Sequence, residues 1–124
     1  MAKNQVVTSS HFPYLPIKVK ITKGDFSIEA LMDTGYDGGV ILPPNLVSNG
    51  EPSGWLVNCK LADNSIIEVK AYIGFVKLGS KKLNNVTVLI MGDEPIIGRE
   101  VIKYFKVILD HGQKIWVNFY CKEE

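Results

Sequence analysis

Apolar residues recur at every second position over much of the chain, which is the spacing typical of half-buried β-strands. In residues 15–21 they alternate with Pro16, Lys18 and Lys20, and a second strand is predicted over residues 26–32. The intervening Lys23-Gly24-Asp25 has turn composition. The pattern therefore predicts a hairpin that leads directly into Asp33.

The following sixty residues continue in the same way. A short buried strand is predicted at residues 40–42, one helical turn at 45–47 and a loop at 48–54. Apolar, β-branched runs at residues 55–61 and 66–76 flank Ala62-Asp63-Asn64-Ser65, which favours a tight reversal. A long hairpin is thus expected, followed by a turn at 79–82 and a strand over 83–91.

Only residues 99–105 have convincing helical spacing, with Val101, Ile102 and Phe105 on one side. Residues 107–109 and 115–120 form a last predicted hairpin. Many short strands with regularly placed turns are typical of an all-β closed barrel or sandwich. We therefore expect a β-barrel with one short helix near the C-terminus.

Length and composition narrow the function classes. A chain of 124 residues fits one domain, residues 1–124. Because the chain has 14 basic and 13 acidic side chains, its net charge is close to zero, and binding of nucleic acid or an anionic membrane is disfavoured. Cys59 and Cys121 lack metal-ligand spacing and are interpreted as free thiols, with no metal or cofactor expected. No apolar stretch approaches a membrane span of about 18 residues, so a cytoplasmic protein is the expectation.

The candidate chemistry lies in Asp33-Thr34-Gly35. Alone, the triplet is compatible with an ordinary Asx-type turn after a strand. Its context favours more, because an apolar strand precedes it and Tyr36-Asp37-Gly38-Gly39 leads into another. The triplet is thus predicted on a tight loop between two buried strands, where a carboxylate is held rigid.

A second segment, Ile96-Ile97-Gly98-Arg99, precedes the predicted helix. The chain thus has an apolar strand, Asp-Thr-Gly and a second apolar strand, followed later by two aliphatic residues and a glycine that open a short helix. Motifs in this order resemble those of the retropepsin-like aspartic proteases. The resemblance covers residues 16–117 and is closest to single-domain prokaryotic members. It implies a retropepsin-type closed barrel in which the hairpin over residues 55–76 is the flap.

This resemblance implies that Asp33 is the single catalytic carboxylate of each subunit in a homodimeric peptidase. Thr34 would pass a hydrogen bond to the partner's loop, and Gly35 would let the backbone approach the carboxylate and a peptide or protein substrate. The terminal segments are the expected interface strands. Their apolar faces carry Val6 and Val7 at one end and Ile115, Val117 and Phe119 at the other.

The resemblance also assigns structural and binding roles. Gly98 would pack where only hydrogen fits, and Arg99 would form an ion pair with Asp37. We expect substrate contacts from the loop, the flap tip and nearby apolar side chains, namely Tyr36, Asp37, Ala62, Asp63, Asn64 and Ile97, with Val40 and Ile67 as further pocket candidates.

Two other readings remain. A catalytically silent barrel that serves as a dimerisation or peptide-binding module is the main alternative, and an OB-like or SH3-like binding barrel is disfavoured by the neutral charge and the order of the motifs. The histidines are expected at the surface. Lysines are interpreted as solvated faces and turns, with steering of an acidic ligand as the alternative, at Lys18, Lys20, Lys23, Lys81 and Lys82.

Overall fold

The computed structural model describes residues 3–9, 11–22, 24–47 and 54–121. Its strands are β1 Lys3–Ser9, β2 Tyr14–Ile21, β3 Gly24–Met32, β4 Val40–Leu42, β5 Trp55–Lys60, β6 Ile66–Leu78, β7 Lys81–Ile90, β8 Ile96–Ile97, β9 Phe105–Asp110 and β10 Lys114–Cys121. A 3-10 turn lies at Pro44–Leu46 and the helix α1 at Arg99–Ile102. No helix in these ranges has the length and apolar character needed to cross a membrane.

Six strands form the closed barrel predicted from the sequence. Their order is β2, β3, β8, β4, β7 and β6, and β6 pairs again with β2 through Lys18–Lys77, Val19–Val76 and Lys20–Phe75. Strand β5 adds to the outer side of β6, so β5 and β6 form the predicted long hairpin. Strand β6 therefore belongs both to the barrel and to the hairpin.

The main core fills this barrel. On β2 the residues Leu15, Ile17, Val19 and Ile21 are buried while the intervening ones are exposed, which confirms the alternation seen in the sequence. Val86 and Val88 of β7 pack against the same cluster. Burial of apolar side chains is the main source of stability here, at roughly 25 cal/mol per Å² of apolar surface.

A separate three-stranded sheet joins the two ends of the chain, in the order β1-β10-β9. Strand β1 runs antiparallel to β10, from Lys3 opposite Cys121 to Ser9 opposite Ile115. The side chains of Ile115, Val117 and Phe119 are at most 3% exposed. The prediction that they form an intersubunit face is therefore wrong, because alternation along β10 directs all three into the chain's own core. The side chains of Val6 and Val7 lie outside the described residues.

The helix is shorter than predicted. It ends at Ile102, and Phe105 already begins β9, where its ring packs edge-on against Phe119 at 5.7 Å. Helical spacing placed Phe105 on the apolar side of a helix, but from a strand the same side chain is half-buried and packs against the main core. Tertiary packing against β10 decides between them.

Smaller predictions also have outcomes. The helical turn before the predicted loop is confirmed as the 3-10 turn, whereas residues 48–53 lie outside the described residues. Gly24 and Asp25 belong to β3 rather than to a turn, and Lys23 lies outside the described residues. His11 and His111 are exposed, as expected, and Cys59 is a free thiol; the Cys121 side chain lies outside the described residues.

Replacing Ile115 by alanine should lower the free energy of unfolding by about 2 to 5 kcal/mol, since it removes buried methyl groups from the core. The matched control is Leu109→Ala. Leu109 faces Ile115 across β9 and β10 but is 55% exposed, so its loss should be under about 1 kcal/mol. Urea unfolding measures both. Equal losses, or a loss of association without loss of stability in Ile115→Ala, would contradict the assignment of Ile115 to the core.

Candidate active site

The Asp33 carboxylate is held by its own loop. Asp33 follows the last residue of β3, and its backbone N–H donates to the Ile97 carbonyl oxygen at 3.0 Å. The Gly35 N–H donates to Asp33 Oδ1 at 2.8 Å. A Cβ on Gly35 would lie 3.2 Å from that oxygen, tighter than most contacts. Asp33 is half-buried, whereas Thr34 and Gly35 are exposed, so the carboxylate lies at a surface with a fixed orientation.

The two sequence motifs meet at this loop. Strand β8 runs parallel to β3, with Met32 opposite Ile97, and antiparallel to β4, with Val40 opposite Ile97. The Gly98 N–H then donates to the Gly39 carbonyl oxygen at 2.8 Å. Segments about sixty residues apart in sequence are thereby joined through backbone hydrogen bonds.

Gly98 lies where a side chain does not fit. A Cβ there would be 2.5 Å from the Gly38 carbonyl oxygen and 2.7 Å from that of Tyr36. Both are backbone atoms of the Asp33 loop, which cannot move aside as a flexible side chain would. The sequence prediction for Gly98 agrees with this packing.

Helix α1 caps the same loop with its first amides. The Arg99 N–H donates to the Tyr36 carbonyl oxygen at 2.8 Å, and the Glu100 N–H donates to that of Gly38 at 3.0 Å. The Glu100 carboxylate accepts from the Thr87 N–H of β7 at 3.2 Å. Glu100 was not singled out in the sequence. An acid in the first turn of a helix is a recognised signal, but nothing local indicates that it reaches β7.

The predicted ion pair between Arg99 and Asp37 is not present. Both residues are exposed, and within the described ranges the ion pairs are His11–Glu29 and His111–Asp110. The physical reason is the direction of the helix. Val101 is buried, and at 100° per residue Arg99 lies about 200° away around the axis, on the solvent side. The backbone of Arg99, rather than its guanidinium, holds the loop.

Tyr36 joins the loop to a second, smaller core. Its ring lies against Gly38 and Gly98 and packs on a buried cluster formed by Ile41, Val69, Ala71 and Leu89, with Val57, Cys59, Met91 and Ile96 at its edge. Desolvation, followed by the charges of Cys59, Asp37 and Glu100, raises the pKa of Tyr36 to about 12. Tyr36 is thus a partly buried, protonated side chain beside Asp33.

The hairpin of β5 and β6 adjoins this cluster through Val57 and Cys59. Its turn is closed by Asp63, which accepts from the Ser65 N–H at 2.9 Å and from the Ser65 hydroxyl at 2.6 Å. The Ser65 hydroxyl lowers the pKa of Asp63. Asn64 has a φ of 72°, a conformation that asparagine tolerates well. The predicted contact residues Ala62, Asp63 and Asn64 are exposed at this tip.

Ile97 and Val40 are not at the site surface. Ile97 is 1% exposed and belongs, like Val40, to the main core, so neither side chain is available to a ligand. Ile96, its neighbour, points the opposite way and packs, like Tyr36, against the second cluster. Alternation along β8 could distinguish the two only once the facing strands were known. Ile67 is partly exposed on the hairpin.

Gly98→Ala should destabilise the chain by about 2 kcal/mol or more, since the added methyl group overlaps two backbone oxygens. Gly24→Ala is the matched control, because a Cβ there meets only the Phe26 ring at an ordinary 3.6 Å. Thermal unfolding followed by circular dichroism compares the two. A Gly98→Ala protein as stable as the control would show that the loop does not require the close approach.

The raised pKa of Tyr36 predicts a specific alkaline response. The folded state keeps this proton when the unfolded chain has lost it, so the stability that Tyr36 contributes below about pH 10 is lost as the pH rises to about 12. In Tyr36→Phe that loss should be smaller, as measured by urea unfolding across this range. The control is Tyr104→Phe, at an exposed position. Identical pH profiles for Tyr36→Phe and the unsubstituted protein would contradict the prediction.

The similarity of the chain to known proteins lies in its structure. No protein-family model matches the chain, and no curated protein sequence matches it. Among solved structures, the chain is similar to the crystal structure of a retropepsin-like aspartic protease from Rickettsia conorii, with a TM-score of 0.72 and 14% identity over 98% of this chain and 96% of that one. Similarity at this identity establishes architecture: the chain has the retropepsin-like fold, a closed six-stranded barrel with a long hairpin.

Proposed function

We propose that the chain is an aspartic endopeptidase whose active site forms between two copies, each of which contributes Asp33. The observation that carries the proposal is the position of the Asp33 carboxylate. It lies at the end of β3 in a retropepsin-like fold, and the Gly35 N–H fixes one of its oxygens at 2.8 Å. An ordinary turn aspartate would not need to lie beside Ile96-Ile97-Gly98, the second segment in which the chain resembles the retropepsin-like proteases.

The chemistry follows from two facing carboxylates. Like charges about 3 Å apart cannot both ionise, so the pair shares one proton. The ionised member takes a proton from water, and the protonated member donates to the carbonyl oxygen of the peptide bond. Such a pair therefore supplies both general base and general acid without a bound group.

The second carboxylate has to come from another copy, because the chain contains one Asp-Thr-Gly triplet. A two-fold axis between the loops would set each Asp33 against its symmetry mate, and each contact would occur twice. Thr34 is exposed next to Asp33, where its hydroxyl is available to the partner's loop. Since Ile115, Val117 and Phe119 are buried in the core, the terminal sheet would contribute its outer strands, β1 and β9, rather than those side chains.

The substrate would be an extended peptide bound between the Asp33 loop and the β5–β6 hairpin, which would act as the flap. Backbone groups of the peptide would pair with the protein as an added strand. The second core cluster supports this role, since it lies between the loop and the hairpin with partly exposed Tyr36, Cys59 and Ile96 at its edge. Asp37 and the polar hairpin tip would contact the peptide backbone.

The alternative function is a catalytically silent dimerisation or peptide-binding module, and one feature favours its second form, a peptide-binding module that does not need to dimerise. Strand β1 pairs with β10 of the same chain along all seven of its residues. The two termini thus satisfy each other's backbone hydrogen bonds, and neither requires a second copy for that purpose.

Asp33→Asn should abolish peptide hydrolysis while keeping the fold and the dimer, because the amide has the shape of the carboxylate but cannot act as a base. The measurement is cleavage of a complex peptide mixture from acid to neutral pH, read by mass spectrometry. Asp93→Asn, at an exposed turn after β7, is the matched control and should cleave normally. Turnover of Asp33→Asn within tenfold of the unsubstituted protein would contradict the proposal, and absence of turnover in both would favour the silent module.

Mixing the two proteins tests the shared site. An excess of Asp33→Asn chains should suppress the activity of a fixed amount of unsubstituted protein, because mixed dimers contain one working carboxylate. Activity per milligram should likewise fall on dilution as dimers dissociate. Constant specific activity while sedimentation shows passage from dimer to monomer would rule out a site shared between copies.

A further inference from the structure

Three lysines lie side by side on the outer wall of the barrel. Lys77 of β6 is the direct cross-strand partner of Lys82 on β7 and of Lys18 on β2. All three are exposed. Directly opposed side chains have Cβ atoms about 4.5 to 5.5 Å apart, and like charges at that distance destabilise a sheet. A row of three thus costs stability that a solvated face with mixed charges would not.

Two nearby carboxylates, those of Asp25 and Glu29, offset only part of this charge. Lys20, two residues from Lys18, adds a fourth cation, and we call these four residues, Lys18, Lys20, Lys77 and Lys82, the lysine face. Of the neighbouring acids, Asp25 lies opposite Lys20, and Glu29 is bonded to His11 Nδ1 at 2.9 Å. No ion pair found among the described residues includes a lysine of this face. Since the whole chain has a net charge of +1, positive charge is concentrated here.

Two depressions flank the Lys18–Lys77 pair. The first, of about 520 Å³, has Pro16, Ile17 and Ile28 among its lining residues, with Glu29 as its one acid. The second, of about 260 Å³, has Phe26 and Phe75, with Asp25 as its one acid beside Lys20. Both share Lys18, Lys77 and Ser27. Along each strand the two are displaced by two residues, which corresponds to about 6.4 to 6.8 Å.

We propose that the lysine face is a docking site for an extended acidic segment of a partner protein, with alternating apolar and acidic residues. Alternate side chains of an extended peptide are spaced like the two depressions. Two apolar side chains would therefore enter the depressions on either side of the Lys18–Lys77 pair. The side chain of the acidic residue between them lies on the opposite side of the peptide backbone. The long, flexible side chains of Lys18 and Lys77 would therefore reach past the peptide backbone to bring their ammonium groups to that carboxylate.

The same observations disfavour a nucleic acid. Nucleic-acid affinity depends on a large summed positive charge, whereas this chain is nearly neutral. Stacking of bases needs an open aromatic face, and Lys82 Nζ already lies 4.1 Å from the centroid of the Phe75 ring. The docking site is also distinct from the proposed active site, because neither depression is lined by a residue of the Asp33 loop or of the hairpin tip.

The test is a binding measurement on the intact Asp33→Asn chain, in which the peptide cannot be cleaved at the proposed site. The probe is a fluorescein-labelled Gly-Val-Asp-Phe-Asp-Val-Gly peptide, and its control replaces both aspartates by asparagine. Fluorescence anisotropy should show binding of the acidic peptide about tenfold tighter than that of the amide peptide, weakening as salt is added. Because the readout is binding, it stands or falls independently of the proposed hydrolysis.

Variants locate the site. Lys18→Gln and Lys77→Gln should each weaken binding of the acidic peptide about threefold, and the double variant about tenfold. Lys77→Arg, which keeps the charge, should retain binding and shows that the fold is intact. The matched control is Lys103→Gln with Lys106→Gln, exposed lysines outside both depressions, which should leave the affinity unchanged.

Three results would overturn the proposal. Equal affinity for the acidic and amide peptides would remove the role of charge. Unchanged affinity in the folded Lys18→Gln/Lys77→Gln protein would place the peptide elsewhere. Tighter binding of a single-stranded oligonucleotide of equal charge, or of vesicles of phosphatidylcholine and phosphatidylserine, would assign the lysine face to another class of partner.

Discussion

The insertion of β8 between β3 and β4 is the interaction on which the rest of the structure depends. Strands β3 and β4 do not pair with each other. Ile96 and Ile97 of β8 complete the barrel wall between them. The same insertion gives the Asp33 N–H its acceptor, the Ile97 carbonyl oxygen. The same strand therefore closes the barrel and orients the candidate catalytic loop. A change that loosens β8 affects the stability of the fold and the geometry of the site together.

Backbone contacts, rather than charged side chains, hold that loop. Gly98 allows two carbonyl oxygens of the loop to approach within 2.7 Å of where a Cβ would be, and the first amides of α1 bond to the same segment. An exposed ion pair would contribute at most about 1 kcal/mol and would weaken with salt. Hydrogen bonds between backbone groups fix geometry without that dependence, which suits the proposed function, in which the Asp33 carboxylate meets a second one at short range.

Strands β6 and β7 link the core, the site and the outer wall. On one face Tyr72 and Val88 pack into the main core. On the other, Ala71 and Leu89 form the cluster beneath Tyr36. Further along, Lys77 and Lys82 lie in the lysine face. One pair of strands thus carries barrel stability, an apolar surface beside Asp33 and a charged surface away from it.

The sequence by itself determined the features that depend on near neighbours. Alternation fixed the faces of β2, turn residues located the tip of the long hairpin, and two short motifs located Asp33 and Gly98 on adjoining elements. Periodicity and turn chemistry act over a few residues, so the pattern of residues alone reports them. The order of these motifs resembles that of the retropepsin-like proteases, and the architecture was what this resemblance implied.

Only the tertiary structure decided what depends on register between distant strands. It paired β1 with β10 and so buried Ile115, turned Arg99 to solvent and ended α1 before Phe105. It also placed Ile96, rather than Ile97, against the second cluster. It also aligned Lys18, Lys77 and Lys82, which lie on three strands. Each outcome is set by which segments face one another across the sheet, and a shift of one residue would reverse every side chain. The pattern of neighbouring residues does not indicate that register.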